Sequence, residues 1–506
     1  MKAMKRALTI LMILTMLFGA VSFCYAKKDA YADASKFEGK KIGIETGSSY
    51  ISSINDYIKS PDVKYYGNAT DLLTALRSGK VDAIVSDECQ LKYATSTIDG
   101  IICERLKSYP DYISPITAKS PHGEDVLKEL NTFISEIKAN GKLDKLIEKW
   151  LSASNATPKM KDYTKLPSTR GVVTIATDPT YAPFEYVVDN QLVGFDIELM
   201  GMFCESMGYQ PKFESVDFDG IITGLISEKY DIGASCFSTS EERAKVVNFA
   251  DTVYTNYAGI ATLNEKNSSI LGSIKEGFTN TFITESRWKS FMSGIYVTLL
   301  ITIISILFGT AFGFLAHIIS RKNSKVIAKI FDSFSWLVKG MPEIVLLMIL
   351  FYIVFGSSEI SATIVAIVAF TLIFTCAVRD MLKQGEASVD IGQTLAATAL
   401  GYGENAIFFK IILPQAIKKI LPLYIDSVSS HIKATAIVGY IAVVDITKVG
   451  DIVRGRTYDA FFPLISVAIL YFIMAGILKL IVKQISNKVD ETHKKKNQVK
   501  VAIEEI

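Results

Sequence analysis

The long apolar spans past residue 290 constrain the fold of this chain more than any other feature. A helix that crosses a membrane needs about 20 predominantly apolar residues. Pro342, Pro414 and Pro422 make the second and fourth spans less regular. The pattern predicts an all-α polytopic membrane domain of about five helices within 291–483. The predicted spans lie near 294–317, 341–355, 362–378, 415–442 and 460–482.

Composition shows that the rest of the chain is of another kind. Hydrophobic residues make up 49% and charged residues 21% of the 506 residues. This is too apolar for an ordinary soluble protein and too charged for one embedded throughout. The length predicts about three domains. Because the formal net charge is only +2, no nucleic-acid partner is expected.

The sequence lacks motifs for catalysis, metal binding and nucleotide binding. The six cysteines show no CxxC spacing, and the four histidines form no HExxH. No nucleophile and base stand in a recognisable arrangement. No GxxxxGK[ST] is present to cradle ATP phosphates. We therefore expect that the chain is not an enzyme, has no catalytic residue and binds no metal or cofactor itself.

Residues 1–26 have the pattern of a secretory signal peptide. A basic start at Lys2 is followed by an apolar run over 8–21, and small residues stand at Cys24 and Ala26. An uncleaved N-terminal anchor and a lipoprotein attached through Cys24 are the alternatives. In each case the residues that follow are exported.

Positive charge predicts the orientation of the membrane domain. Lysines and arginines follow the first, third and last spans, for example at Arg321, Arg379 and Lys483, and such segments stay in the cytoplasm. Residues 27–290 are therefore predicted to be extracellular, in agreement with the signal peptide. The basic tail 484–506 is predicted to be cytoplasmic. We expect a multi-pass protein of the plasma membrane.

Residues 36–265 read as α/β structure. Short apolar strands, such as 41–44, 82–85 and 172–175, alternate with amphipathic helices, which favours parallel βαβ units.

This region also contains an internal repeat. Segment 72–82 matches 221–231, each with an apolar helical run followed by Ser, Lys and Asp at the same offsets, and 44–50 parallels 175–181. Two similar lobes are implied, although chance similarity of two βα units is the alternative. Ligands bind beyond the carboxyl ends of such strands, so the loops of the two lobes predict a cleft between them.

Four side chains on these loops suit a small zwitterion. Arg243 is predicted just inside a helix that opens at Ser238, where the helix dipole disfavours a cation, so binding a carboxylate is one reason for it and a surface arginine is the alternative. Asp87 ends a strand, where it would accept an ammonium group or cap the following helix. Tyr181 and Phe218 would hold an aliphatic chain or a guanidinium, or pack as loop residues.

Several motifs resemble the polar amino-acid binding proteins of ABC importers, above all the lysine/arginine/ornithine, histidine and glutamine binders. TDPTYAPFE, VGFDIE, DFDG and STSEER, which begin at residues 177, 193, 217 and 238, are similar to the first lobe of that family. Segments 39–47, 79–87 and 136–150 are similar to its second lobe and closing helices. The resemblance implies a two-lobed, type II periplasmic-binding-protein-like clamshell.

The two lobes stand in reversed order relative to that family. We predict a circular permutation or the remnant of a tandem pair, with lobes that close within one chain or by exchange between two protomers. A break near residue 265 would let the first lobe lead directly into the membrane. The predicted ranges are 36–155 for the second lobe and closing helices, 156–170 for a linker, 171–265 for the first lobe and 266–290 for a linker to the membrane.

The resemblance also implies a ligand site. Arg243, Ser238 and the backbone near Ser48 and Ser49 would hold the α-carboxylate, and Asp87 would hold the α-ammonium group. Tyr181 and Phe218 would sandwich the side chain. The remaining implied site residues are Asp178, Ser235, Cys236 and Glu45.

Two of these residues depart from the family pattern. Cys236 stands where a small residue or serine is usual, and we expect a packed free thiol. Glu45 stands where glutamine, leucine or lysine is common. If Glu45 points inward, Glu45 and Asp178 together would provide two acidic groups. Such a pair would favour a ligand with a cationic side chain, such as lysine, arginine or ornithine.

The membrane half resembles the permease subunits of the same transporters. Segment 392–416 is similar to the loop that docks on the ATPase, with Leu395, Ala396 and Ala397 in place of the usual Glu-Ala-Ala. A short helix bounded by Gly401 and Pro414 is predicted within this loop. Gly309 and Gly313 predict close helix packing within the chain.

The combined resemblance implies the substrate-binding and permease subunit of an ATP-driven amino-acid importer. The expected partners are an amino-acid ligand, a cytoplasmic ATPase dimer that uses the ATP, and a second copy in a homodimer. A ligand-gated sensor or channel built on the same clamshell is the alternative.

Overall fold

The computed structural model describes residues 31–504 apart from 99, 153–157, 265–274, 276, 323, 324, 357, 359 and 460. The signal peptide predicted over 1–26 lies outside the described residues. The described strands are β1 (Lys41–Glu45), β2 (Asp62–Tyr66), β3 (Ala83–Asp87), β4 (Ile101–Arg105), β5 (Asp111–Ile113), β6 (Ile116–Ala118), β7 (Val172–Thr177), β8 (Thr180–Tyr181), β9 (Glu185–Val188), β10 (Gln191–Val193), β11 (Gln210–Ser215), β12 (Ile232–Gly233), β13 (Val247–Phe249), β14 (Tyr254–Asn256) and β15 (Ala258–Leu263).

The α-helices fall into two groups. Those of the first half are α1 (Tyr50–Tyr57), α2 (Ala69–Arg77), α3 (Glu88–Thr97), α4 (Pro121–Ala139), α5 (Lys142–Leu151), α6 (Phe195–Met207) and α7 (Phe218–Ile226). Those of the second half are α8 (Trp288–Lys322), α9 (Lys325–Gly340), α10 (Glu343–Met348), α11 (Ala362–Ala387), α12 (Ile391–Ala399), α13 (Glu404–Ile407), α14 (Leu413–Ala434), α15 (Ile446–Thr457) and α16 (Phe461–Glu504).

The strands form two five-stranded sheets, one in each lobe of a clamshell. Lobe A contains the sheet of order β2-β1-β3-β15-β4 with α1, α2 and α3. Lobe B contains the sheet of order β11-β7-β12-β6-β13 with α4 to α7. β1 pairs in parallel with β2 and β3, and β7 pairs in parallel with β11 and β12. The predicted two-lobed α/β clamshell is confirmed.

The centre of lobe A is packed tightly around β1. Ile42 and Ile44 are fully buried. A Cβ on Gly43 would come within 2.7 Å of Leu72 Cδ1. Helix α2 therefore packs directly on the strand, and a larger residue at position 43 would push the two apart.

The internal repeat has a structural counterpart in both lobes. Helices α2 and α7 each lead through a short turn to a strand, β3 or β12. The aspartate before each strand makes the same contact: Asp82 Oδ2 accepts the Lys41 N–H at 2.8 Å, and Asp231 Oδ2 accepts the Thr174 N–H at 2.7 Å. Each bond ties the incoming chain to the first long strand of its lobe.

The chain crosses between the lobes twice, and the crossing strands pair. β5 and β14 form an antiparallel ribbon with Ile113 opposite Tyr254. β15 then enters lobe A between β3 and β4. The range 171–265 therefore contains one strand of the other lobe, and the expectation that the first lobe leads directly to the membrane is wrong. Ala258 and Ile260 are buried in the sheet, which is why this segment completes lobe A.

The closing helices belong to lobe B, although the range 36–155 groups them with the other lobe. Leu130 and Phe133 of α4 share a core with Ile175 and Phe203 of lobe B. Since α4 follows β6, which is a strand of lobe B, chain continuity places the helix there. The described part of the predicted linker, 158–170, also contacts lobe B, because Tyr163 is buried on Gly201.

The second half forms a helical domain. Three described helices are long and apolar enough to cross a membrane, Trp288–Arg321, Ala362–Ala387 and Phe461–Gln484, and they coincide with the first, third and fifth predicted spans. The second predicted span lies in a pair of helices bent by 105° between Gly340 and Glu343. The fourth lies on α14 and the 3₁₀-helix Thr435–Ile441. Because α14 contains lysines and Asp426, it is more polar than the three apolar helices named above.

Two glycines let α8 approach α11 closely, as predicted. A Cβ on Gly309 would lie 2.8 Å from Phe374 Cβ, and a Cβ on Gly313 would lie 2.8 Å from the Thr375 carbonyl oxygen. These contacts confirm packing within the chain.

The ends of the membrane domain are more regular than the sequence predicted. Helix α16 continues to Glu504, through most of the predicted tail 484–506. The described part of the linker 266–290 contains the π-helical turn Thr279–Ile283. Glu285, which follows this turn, joins the linker to the membrane domain, because its carboxylate lies 2.9 Å from the Arg456 guanidinium.

The clamshell rests directly on the helical domain. Leu225 of lobe B shares one hydrophobic core with Phe351 of the helical domain. Lys229 Nζ donates to the Ser358 carbonyl oxygen at 2.9 Å. Apolar and polar contacts together join lobe B to the membrane part.

Leu130→Ala tests the placement of α4 on lobe B. Leu130 is fully buried, so its truncation should lower the free energy of unfolding by about 2–5 kcal/mol. Glu136→Ala on the exposed side of the same helix is the control and should change it by less than about 0.5 kcal/mol. Thermal unfolding of the full chain in detergent measures both, and equal losses would contradict the placement.

Candidate ligand-binding cleft

A cavity of about 590 Å³, counting its open mouth, lies between the two lobes. It is bordered by the carboxyl ends of β1 and β3 in lobe A and of β7 and β12 in lobe B, the edges that the repeat predicted. Every ligand-site residue predicted from the sequence lines this cleft: Glu45, Ser48, Ser49, Asp87, Asp178, Tyr181, Phe218, Ser235, Cys236, Ser238 and Arg243. Their role in binding remains a prediction.

Asp87 connects the two lobes. Its Oδ1 accepts the Tyr50 hydroxyl at 2.7 Å, and its Oδ2 accepts the Tyr181 hydroxyl of lobe B at 2.6 Å. Asp87 does occupy the N-cap position of α3, as the helix-cap alternative held, but its side chain makes no capping bond there. Burial raises the pKa of Asp87, and the hydrogen bonds from Tyr181 and Tyr50 oppose that rise.

The sequence did not single out Tyr50, which lines the cleft, or Asp111, which bonds to two residues that line it. Asp111 Oδ2 accepts the Ser49 hydroxyl at 3.1 Å and the Ser238 hydroxyl at 2.8 Å. Burial, together with the charge of Asp87, raises the pKa of Asp111 to about 6. No local motif marks Asp111, because only the pairing of β5 with β14 brings it to the cleft. Tyr50 directly follows the predicted Ser48 and Ser49, and that position was its one signal.

Arg243 faces the cleft, although the helix predicted around it does not form. Only the 3₁₀ turn Arg243–Lys245 is present, since β13 begins at Val247 and leaves no room for a helix. The guanidinium donates to the Ser238 carbonyl oxygen at 3.0 Å and to the Gly47 carbonyl oxygen of lobe A at 2.8 Å. The helix-dipole argument for Arg243 therefore fails, and the arginine is instead placed by two backbone carbonyls.

Aromatic rings flank this arginine. Its guanidinium carbon lies 5.5 Å from the centre of the Phe218 ring and 5.6 Å from that of Phe237. The two rings stack at 4.8 Å. Phe218 thus combines the predicted cleft position with the packing role that was its alternative.

Two acidic groups mark the wall of the cleft. Asp178 accepts the Thr180 hydroxyl at 2.8 Å and the Phe218 N–H at 3.2 Å. Glu45 lines the same cavity, so the condition that it points inward is met. Burial, followed by the charges of Asp178 and Asp87, raises the pKa of Glu45 well above its usual range.

Next to these groups is a buried pair of carboxyl groups that the sequence did not single out: Glu185, which also lines the cavity, and Asp196. The Ser235 hydroxyl donates to Glu185 Oε1 at 2.7 Å, and the Cys236 N–H donates to Asp196 Oδ2 at 2.8 Å. Burial raises the pKa of Asp196 to about 6 and that of Glu185 well above its usual range. The pair fixes the loop in which Cys236 adopts a φ of 46°.

Cys236 is a buried free thiol, as predicted. Its Sγ lies 3.4 Å from Asp87 Oδ2. Burial raises the pKa of this thiol well above its usual range, so it stays protonated and donates to the carboxylate. Among the described residues, no group of three or more His, Cys, Asp or Glu is arranged to hold a metal ion.

The predicted docking loop lies in the helical domain. Leu395 is 64% exposed on α12 and Ala396 is also exposed, whereas Ala397 is buried on the side of α12 that packs against Phe408. Gly401 has a left-handed φ of 81°, and Pro414 lies in the first turn of α14. The short helix therefore presents Leu395 and Ala396 outward.

The fold and the cleft define a class of protein, a two-lobed solute-binding domain joined to a helical membrane domain. The chain belongs to the bacterial extracellular solute-binding proteins, family 3, which it matches over residues 173–499. This confirms the resemblance seen in the binding motifs.

The chain is also similar to curated permeases. The chain is 31% identical over 202 residues to the putative glutamine transport system permease protein GlnP of Rickettsia typhi. It is 27% identical over 202 residues to the arginine transport system permease protein ArtQ of Bacillus subtilis. Each match covers 39% of this chain and 91% of the relative.

A solved structure is also similar, a crystal structure of an amino acid ABC transporter with histidines. The identity is 25% and the TM-score 0.38, and the match covers 44% of this chain and all of the other.

Asp196→Asn tests the buried carboxyl pair. Because the pKa of Asp196 is raised to about 6 in the folded protein, its contribution to stability is complete below about pH 4 and is lost as the pH rises through 6. Between pH 4 and 7 the wild-type free energy of unfolding should fall by about 2 kcal/mol relative to Asp196→Asn. Unfolding of the full chain across this range measures the difference, and parallel profiles would contradict the raised pKa.

Proposed function

We propose that the chain is the substrate-binding and permease subunit of an ATP-driven importer of polar amino acids. The observation that carries the proposal is the arrangement of charge in the cleft, where Arg243 lies on one wall and Asp87 on the other. An amino acid offers the complementary pair, a carboxylate for the arginine and an ammonium group for the aspartate.

Ser48 supports this assignment. Its hydroxyl is buried and has no hydrogen-bond partner among the described residues, and it lines the cleft next to Gly47, which accepts a bond from Arg243. A buried hydroxyl without a partner is costly. The ligand carboxylate would supply the missing acceptor.

The part of the cleft that would hold the side chain of the ligand favours a cation. Glu45, Asp178, Asp87 and Glu185 line the cleft, and Arg243 is the one lysine or arginine among its described lining residues. Acidic groups outnumber basic ones, and the guanidinium already bonds two carbonyls. A second positive charge on the ligand would relieve the repulsion that raises the pKa of Glu45. We therefore propose basic amino acids as the preferred substrates.

The energy for transport would come from a partner. The exposed Leu395 and Ala396 on α12 would dock on a cytoplasmic ATPase dimer that binds the ATP, with a second copy of the chain completing a homodimer. In this proposal residues 27–290 would lie outside the plasma membrane and the C-terminus inside. The similarity of the membrane half to amino-acid permeases supports it.

The ligand-gated sensor or channel is not favoured. The matched relatives are permease proteins, and the match reaches across 91% of their length. A gated pore would give the exposed docking helix no role.

Arg243→Ala tests the carboxylate site. In isothermal calorimetry on the full chain in detergent, it should weaken binding of the preferred amino acid at least about 30-fold, because truncating one member of a buried charge pair costs about 2–5 kcal/mol. Arg170→Ala, which removes an exposed arginine of lobe B paired with Glu129, is the matched control and should bind as the wild type does. Absence of binding by any standard amino acid to the wild type would refute the proposed function.

Asp178→Asn tests the preference for a cation. L-arginine should bind about tenfold more weakly and L-glutamine within about threefold of the wild type, since only the former loses an opposite charge. Asp189→Asn removes an exposed aspartate of the same lobe and serves as the control. A wild-type chain that binds L-glutamine more tightly than L-arginine would contradict the basic preference.

A further inference from the structure

Helix α15 of the membrane domain touches both lobes of the clamshell. On lobe A, Arg454 forms an ion pair with Asp71. Arg77 reaches in the opposite direction and donates to the Tyr458 carbonyl oxygen at 2.6 Å, just beyond the helix. On lobe B, a Cβ on Gly455 would lie 3.0 Å from Thr180 Cβ. The helix therefore contacts the chain on both sides of the cleft.

One side chain of this helix carries its charge to the wall of the cleft. Lys448 is only 3% exposed, and its ammonium group pairs with Asp217 of lobe B. Asp217 directly precedes Phe218, whose N–H donates to Asp178 Oδ2 at 3.2 Å. Thr180, the residue against Gly455, donates to Asp178 Oδ1 at 2.8 Å. Both segments that hold the Asp178 carboxylate thus rest on α15.

The charges that face Lys448 come from several elements. Asp217 and Asp178 belong to lobe B, and Asp451 lies on α15 itself. Lys448 also opposes the rise that burial gives to the pKa of Asp178. The ammonium group therefore stabilises the same carboxylate that lines the cleft.

We propose that Lys448 is a specificity-determining residue that the membrane domain supplies to the binding cleft. Its ammonium group competes with a cationic ligand side chain for the negative charge of Asp178. A clamshell docked on α15 then holds a basic amino acid less tightly than its own acidic walls would, while a neutral amino acid is unaffected. This inference rests on the proposed function, because it concerns how the same cleft distinguishes its substrates.

Calorimetry on the full chain in detergent, with L-arginine and L-glutamine as probes, tests the competition. Lys448→Met should tighten L-arginine about tenfold and leave L-glutamine within about twofold of the wild type. Asp217→Asn frees the ammonium group from its partner, so L-arginine should bind about threefold or more weakly. Shifts of opposite sign separate a charge effect from a loss of folding, which would weaken both ligands in both variants.

Lys479→Met is the matched control, because it removes an ammonium group paired with Asp426 elsewhere in the membrane domain. It should leave the ratio of the two affinities at the wild-type value. An unchanged ratio in Lys448→Met, an equal shift for both ligands, or L-arginine binding too weak to detect in every variant would overturn the inference. Binding of L-glutamine in those cases would leave the proposed amino-acid function standing, whereas no binding of any standard amino acid would end both.

Discussion

The antiparallel ribbon of Asp111–Ile113 and Tyr254–Asn256 is the constraint on which the rest of the clamshell depends. It is the place where the chain passes from one sheet to the other, so it fixes which loops face each other. It also brings Asp111 to the cleft, where this carboxylate accepts hydroxyls from Ser49 of lobe A and Ser238 of lobe B. A hinge built this way couples the spacing of the lobes to the hydrogen bonds inside the site.

The cleft has more acidic than basic groups on its described walls, and this imbalance supports the proposed preference for a basic ligand. The carboxyl groups of Glu45, Asp87 and Asp178 line the cleft with Arg243, Asp111 lies beside it, and burial raises the pKa of each of these four groups. Isolated charges in a desolvated site are unfavourable, so the arrangement is stable only with protons or a cation in place. A positively charged ligand would therefore interact favourably with these groups.

The membrane domain takes part in the architecture of the clamshell and is more than its anchor. Lobe B shares a hydrophobic core with the helical domain, and lobe A is tied to α15 through Arg454 and Asp71. Because one helix contacts both lobes, a change in their separation has to be transmitted to α15 or to break these contacts. Lys448 lies where α15 contacts lobe B, next to the acidic wall of the cleft.

The sequence by itself determined the two α/β lobes, the apolar helices and most of the charged and aromatic residues of the cleft, because strand periodicity, helix hydropathy and loop motifs are local. Tertiary structure decided the rest. It moved Ala258–Leu263 into lobe A and the closing helices onto lobe B, since burial against a distant sheet outweighs order along the chain. It replaced the helix predicted at Arg243 by a short turn, because β13 follows too closely. Some residues gain their roles only from contacts with residues remote in sequence, and no local pattern could have predicted them. They are Asp111, Glu185, Asp196 and Lys448.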